Sequence, residues 1–226
     1  MGDYMGKAIL CYGSSNVWGF IPGSFDSNTW LAERYSKSER WPGILETELS
    51  PLGYSIIEEG LNGRTTAFDD EVAKKPYRNG LTQLPVCLES HYPLDLVILS
   101  LGINDLKTQY QQSAESISEN MRVLVQLVKN SNKGPHRNPP KVLLIAPQLL
   151  RREGLPMLSF NEDSLKKSAA LPALLKKIAE EEKIFFIETT DLLSSPKDGI
   201  HLDAEGNKKL ALRVKDKILT EIFGGK

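Results

Sequence analysis

Cysteine and histidine are scarce in this chain, two and three residues among 226, and each shortage removes a class of chemistry. Cys11 and Cys87 lie in the apolar contexts AILCYG and LPVCLE; two such residues build neither a disulfide framework nor an unaided zinc cage. They read as buried free thiols. An excess of basic charge is missing too: 28 Lys and Arg face 29 Asp and Glu, for a net charge of −1. The cations are scattered, so general nucleic-acid binding has no electrostatic footprint here. No apolar run approaches the ~18 residues of a membrane span. The start, MGDYMGKAILCYG, holds one Lys and an apolar run too short for a secretory leader. These absences lead to the expectation of a cytoplasmic protein with no membrane or nucleic-acid partner. Nucleotide signatures are absent as well, with neither the Gly-Lys pair of a Walker A loop nor a GxGxxG pattern.

What is present fits an ordinary globular chain, with 40% hydrophobic and 25% charged residues. The length suits one large α/β domain over 1–226, able to bury roughly 70–75% of its unfolded surface. Five apolar runs read as strands: Ala8 to Tyr12, Tyr54 to Ile57, Asp95 to Leu101, Val142 to Ala146 and Ile184 to Ile187. They lack polar alternation, which predicts a parallel sheet covered on both faces, and their spacing leaves room for a crossover helix in each gap. The fold class is therefore three-layer α/β/α with a five-stranded parallel sheet, flavodoxin-like. Helical stripes run through Ile117, Met121, Leu124 and Val128 and through Leu210, Val214, Ile218 and Ile222. Further helices are expected around Trp41 to Leu49 and from about Ser164 to Glu182, where Pro172 must kink the helix or sit in an early turn. Segments 131–141 and 149–163 read as loops. The second, with the long stretch 22–40, is placed to wall the carboxyl end of the sheet, where open α/β folds bind ligands.

The loop after the first strand, Gly13-Ser14-Ser15-Asn16-Val17-Trp18-Gly19, is small and polar. At a strand-to-helix turn it could offer a nucleophilic hydroxyl, cradle a phosphate or simply cap the helix. A serine nucleophile needs a base, and only His91, His136 and His201 exist. His136 falls in the Gly/Pro-rich loop, and His91 sits before the third strand, at its amino end. His201 follows the fifth strand at the useful end of the sheet, with Asp198 three residues earlier, where it can orient the imidazole. Donors for an oxyanion are available in Gly60-Leu61-Asn62-Gly63-Arg64-Thr65-Thr66 and in Gly102-Ile103-Asn104-Asp105. Four separate strands are thus followed by a Ser, a Gly, an Asn and an Asp-x-x-His, a full acyl-transfer inventory. An α/β-hydrolase elbow is excluded, because Gly-x-Ser-x-Gly would need Gly where Val17 stands.

From end to end these blocks resemble the SGNH (GDSL-type) hydrolase family, and more closely its arylesterase-like and acyltransferase-like bacterial branch. Flanking stretches such as RWPGILETEL and LDLVILSLGINDLK are similar too. The resemblance implies Ser15 as nucleophile, His201 as base then acid, and Asp198 as its orienter. It implies an oxyanion hole from the N–H groups of Ser15 and Gly63 and the amide of Asn104, with Gly60 as the alternative to Gly63. Trp18 and Phe20 become candidates for lining the substrate pocket. The implied activity is hydrolysis of small carboxylic esters, aryl, alkyl or sugar acetyl, without metal or cofactor, with acyl transfer to alcohols as an extension and a homo-oligomer as the assembly. The family-like start falls at Met5, leaving residues 1–4 as an extension. One departure stands out: Ser14 occupies the place of the family's Asp in Gly-Asp-Ser. Two other readings follow, a catalytically impaired family member and a flavodoxin-like module binding phosphate or FMN.

Overall fold

The computed structural model describes residues 6–72 and 74–224; the boundary expected at Met5 lies outside them. Five parallel strands, β1 (Lys7–Gly13), β2 (Tyr54–Gly60), β3 (Leu96–Ser100), β4 (Lys141–Ile145) and β5 (Phe185–Ile187), form one sheet in the order β2-β1-β3-β4-β5. Each expected strand is present, with ends displaced by a few residues. The helices are α1 (Ser15–Trp18), α2 (Trp41–Leu49), α3 (Gly80–His91), α4 (Ala114–Lys129), α5 (Glu162–Glu182) and α6 (Ala204–Lys217), the last continuing into a π turn at Ile218–Ile222.

The apolar runs do not alternate with polar residues because both sheet faces are covered, and successive side chains enter different cores. From β1, Leu10 and Tyr12 join Leu84 of α3, Ile117 of α4 and Leu171 of α5. Ile9 and Cys11 point the other way, to Trp41 and Leu45 of α2 and Leu210 and Val214 of α6. Right-handed crossovers require this division: the chain steps from β1 to β2 in one direction and then returns past β1 to β3, β4 and β5. The loops after β1 and β3 therefore diverge at a topological switch point.

Helix α5 spans close to the expected 164–182, and both it and α3 hold an interior proline. Pro172 lies in the interior of α5 rather than in an early turn. The hydrogen bond it removes is offset by the burial of Leu171, Leu175 and Ile178 around it. Helix α3 buries Leu84, Cys87 and Leu88, while Pro85 and Val86 on its exposed face blur that stripe, and Asn79 caps it by accepting from the N–H groups of Leu81 and Thr82. Both cysteines are free and buried. Among the described residues no helix is long and apolar enough to cross a membrane.

Register sets the ends of three strands level, with Gly13 beside Gly60 on one side and beside Ser100 on the other. At Gly60 the backbone of α1 passes so near that a Cβ would stand 2.2 Å from the N and 2.6 Å from the Cα of Trp18. Only glycine permits that approach. Gly60→Ala is accordingly expected to cost about 1–3 kcal/mol of stability in urea unfolding; unchanged unfolding would show that α1 can retreat freely.

Candidate active site

Helix α1 begins with Ser15, whose N–H, as the first of the helix, lacks an intrahelical acceptor. Both preceding and following residues secure this turn. The carbonyl of Ser14 accepts from Val17 and Trp18 at 3.1 and 3.0 Å, and that of Ser15 accepts from Gly19 and Phe20 at 2.9 and 3.0 Å. The Ser14 side chain makes no capping bond, so the turn is closed by backbone where the family pattern has a carboxylate. Asn16 ties the turn to the loop before α6 by accepting from the Leu202 N–H at 3.0 Å.

That loop carries Asp198 and His201. The Ser15 hydroxyl stands 2.8 Å from His201 Nε2, and His201 Nδ1 stands 2.8 Å from Asp198 Oδ2. Asp198 Oδ1 accepts from the N–H groups of Ile200 and His201, each at 3.0 Å. Burial pushes the Asp198 carboxyl up, but the bond and charge of His201 and these two N–H groups outweigh it and hold the carboxyl below its ordinary value. The loop is pinned in turn: Ser195 N–H donates to His201 O at 2.8 Å, and the Ser194 hydroxyl donates to Leu149 O at 2.7 Å. The other histidines are elsewhere. His91 pairs with Glu59 at 2.9 Å, and His136 sits in a left-handed turn of the 131–141 loop.

The donor segments converge on the same end of the sheet. Arg64 N–H closes a turn onto Leu61 O at 3.0 Å, with Gly63 at φ +81°, a conformation glycine takes without strain. The Gly63 N–H has no acceptor among the described residues. Asn104, buried at the start of a short 3-10 turn after β3, donates one amide hydrogen to Arg64 O at 3.1 Å and keeps the other. Gly60, the alternative donor, ends β2 beside Gly13, with the backbone of α1 against it.

Arg64, Asn16 and Asp105 carry no role that their motifs alone reveal. The buried Arg64 guanidinium lies 4.2 Å from the Tyr12 ring and donates to the carbonyls of Gly13 and Glu59, joining the ends of β1 and β2 under the site. Asp105, wholly buried, accepts from the Thr66 N–H at 2.9 Å and from its hydroxyl, fixing the Asn104 turn to the Gly63 turn. The two long loops flank the arrangement as expected. Gly23 N–H donates to Asp198 Oδ2 at 3.2 Å, and Arg151 N–H donates to Gly199 O at 2.9 Å. Phe20 stacks on the His201 imidazole, centroids 4.0 Å apart, and Trp18 lies 6.4 Å beyond Phe20 with Arg34 over its own ring.

The model of the GDSL-like lipase/acylhydrolase family matches residues 11–209. The chain belongs to this family. It is similar to the carbohydrate acetylesterase Est24 from Sinorhizobium meliloti, with 37% identity over 95% of this chain and 99% of that one and a TM-score of 0.85. It is similar also to an aryl esterase of M. smegmatis, with 33% identity over 95% and 99% of the two chains and a TM-score of 0.86. A carbohydrate acetylesterase family member from Sinorhizobium meliloti shares 31% identity over 97% and 100%, with a TM-score of 0.83. No curated protein matches significantly. Family and neighbours together make the chain a carboxylic ester hydrolase of the SGNH type.

Burial raises the Asp105 carboxyl from 3.8 to about 6 against the opposing bonds from Thr66. A folded value above the unfolded one means that the stability Asp105 contributes in full below pH 3.8 is lost as pH rises through about 6, about 3 kcal/mol in all. Urea unfolding at pH 4 and pH 7 should therefore show a smaller pH loss for Asp105→Asn than for the unaltered protein; parallel losses would mean that Asp105 ionises in the fold as it does in water.

Proposed function

We propose that this ester hydrolase works through an acyl-serine intermediate, with Ser15 as nucleophile, His201 as general base and then acid, and Asp198 as the orienting carboxylate. The observation that carries this reading is the unbroken chain of two 2.8 Å contacts from the Ser15 hydroxyl through the imidazole to Asp198. Asp198, held ionised at neutral pH, keeps the Nδ1 proton in place, which leaves Nε2 to accept the serine proton. Ser15 Oγ then attacks the ester carbonyl. Charge developing on the carbonyl oxygen is met by the N–H groups of Ser15 and Gly63 and by the second amide hydrogen of Asn104. The imidazolium returns its proton to the leaving alcohol, and a water activated by the same nitrogen releases the acid. Arg64, Asn16 and Asp105 do not touch the reacting atoms; they hold the three loops at one spacing.

Small esters are the proposed substrates, aryl or sugar acetyl, in keeping with similarity to an aryl esterase and a carbohydrate acetylesterase. Trp18 and Phe20 are proposed to line the pocket. Ser14 is compatible with turnover, because backbone bonds alone close the nucleophile turn.

The test is hydrolysis of p-nitrophenyl esters from acetate to octanoate, with intact-mass detection of a fluorophosphonate adduct. The unaltered protein should turn over the short esters and carry one adduct, and Ser15→Ala should lose both. Asn104→Ala should lower kcat by about 10²–10³ while still taking the adduct. Turnover by Ser15→Ala at the unaltered rate would overturn the assignment, as would an inert, unlabelled protein.

A further inference from the structure

The stretch between α1 and α2, residues 19–40, does more than cover the sheet end: it reaches both partners of the hydrogen-bonded pair Asp198–His201. Its Gly23 N–H donates to Asp198 Oδ2, the same oxygen that faces His201 Nδ1. Its Phe20 ring lies nearly parallel to the imidazole, at 14° and 4.0 Å between centroids. The placement of Phe20 is fixed from several sides. Its N–H donates to the carbonyl of Ser15 itself, its backbone bridges to Arg34, and Tyr35 N–H donates to Gly19 O at 2.7 Å. The base of the stretch is clamped to the sheet, where Arg40 grips Glu58 through two nitrogens at 2.6 and 3.0 Å and Arg34 adds a third contact at 3.2 Å.

Edge contacts from Ser15 and Asp198 fix where the two ring nitrogens point, but neither resists a tilt of the imidazole out of its plane. A flat ring pressed against one face does. We propose that Phe20 is a positioning residue for the general base: its ring holds the His201 imidazole in the plane that joins Ser15 to Asp198. Its π face also favours the positive charge that the imidazole takes on as Ser15 gives up its proton. This role goes beyond lining a pocket and rests on the assignment of His201 as the base.

The test compares Phe20→Leu with Phe20→Tyr and Phe20→Trp on p-nitrophenyl acetate, a substrate too small to need a long pocket wall. Loss of the flat face is expected to lower kcat about tenfold while KM moves less than about threefold. Tyr and Trp, which keep a flat ring, should restore most of kcat. The proton NMR signal of the His201 Nδ1–H, far downfield because of its bond to Asp198, should be sharp in the unaltered protein, broadened in the Leu variant and sharp again in Tyr and Trp. Phe20 is only half-buried, so these variants should fold, and Phe20→Met serves as a second ring-free variant if Leu does not. A loss confined to KM, or equal kcat in Leu, Tyr and Trp with an unchanged downfield proton, would overturn the proposal. Should Ser15→Ala remain active, the serine mechanism itself fails; should Ser15→Ala be inert while Phe20→Leu behaves as unaltered protein, the role of Phe20 alone falls.

Discussion

The close backbone approach at the carboxyl ends of β1 and β2 is the constraint from which the site grows. Because Gly13, Gly60 and Ser100 lie level across three strands, the turn that carries Ser15 rests directly on the sheet end. From that seat its hydroxyl meets an imidazole delivered by a loop far along the chain. A parallel sheet makes this economical: every strand discharges its following loop at the same edge, so four loops can each contribute one group. Arg64 secures the seat from below, since one guanidinium binds the carbonyls with which β1 and β2 end their ladder.

Much of this was legible in the sequence for a physical reason. A strand buried on both faces leaves an unbroken apolar run, and a catalytic loop leaves small, polar and Gly-containing punctuation directly after it. Ser15, Asn104 and the Asp198–His201 pair, the groups proposed to react, could be picked out because each follows a strand that is itself readable. Asp198 and His201 also lie close enough in the chain for their bond to be foreseen. Helix α3 is legible only as a gap to be filled, because the exposed Pro85 and Val86 obscure the buried stripe of Leu84, Cys87 and Leu88.

The supporting contacts were not legible, and their nature explains why. Asn16 to Leu202, Gly23 to Asp198 and Asp105 to Thr66 join positions far apart in the chain through single polar atoms, and no local pattern encodes such a meeting. Arg64 is the instructive case. An arginine in a Gly-rich turn reads as an exposed charge, yet here it is buried under the site, offset by carbonyls and by the Tyr12 ring. Gly60 and Gly63 are likewise told apart only by the fold, which ends β2 at Gly60 beside Gly13 and sets Gly63 in the turn beyond.

The stretch from 19 to 40 also divides its labour along its length. Its contacts to Asp198 and His201 come from the root, at Gly23 and Phe20, whereas its tip pairs Asp26 with Leu31, the Asp26 carboxylate receives Asn28 and Thr29, and Lys75 lies over the Trp30 ring. The two arms meet where Phe20 bridges to Arg34, and there Arg34 is held by Glu58. The tip is therefore the part of this stretch where natural divergence or engineering can exchange side chains without removing a direct contact to Asp198 or His201.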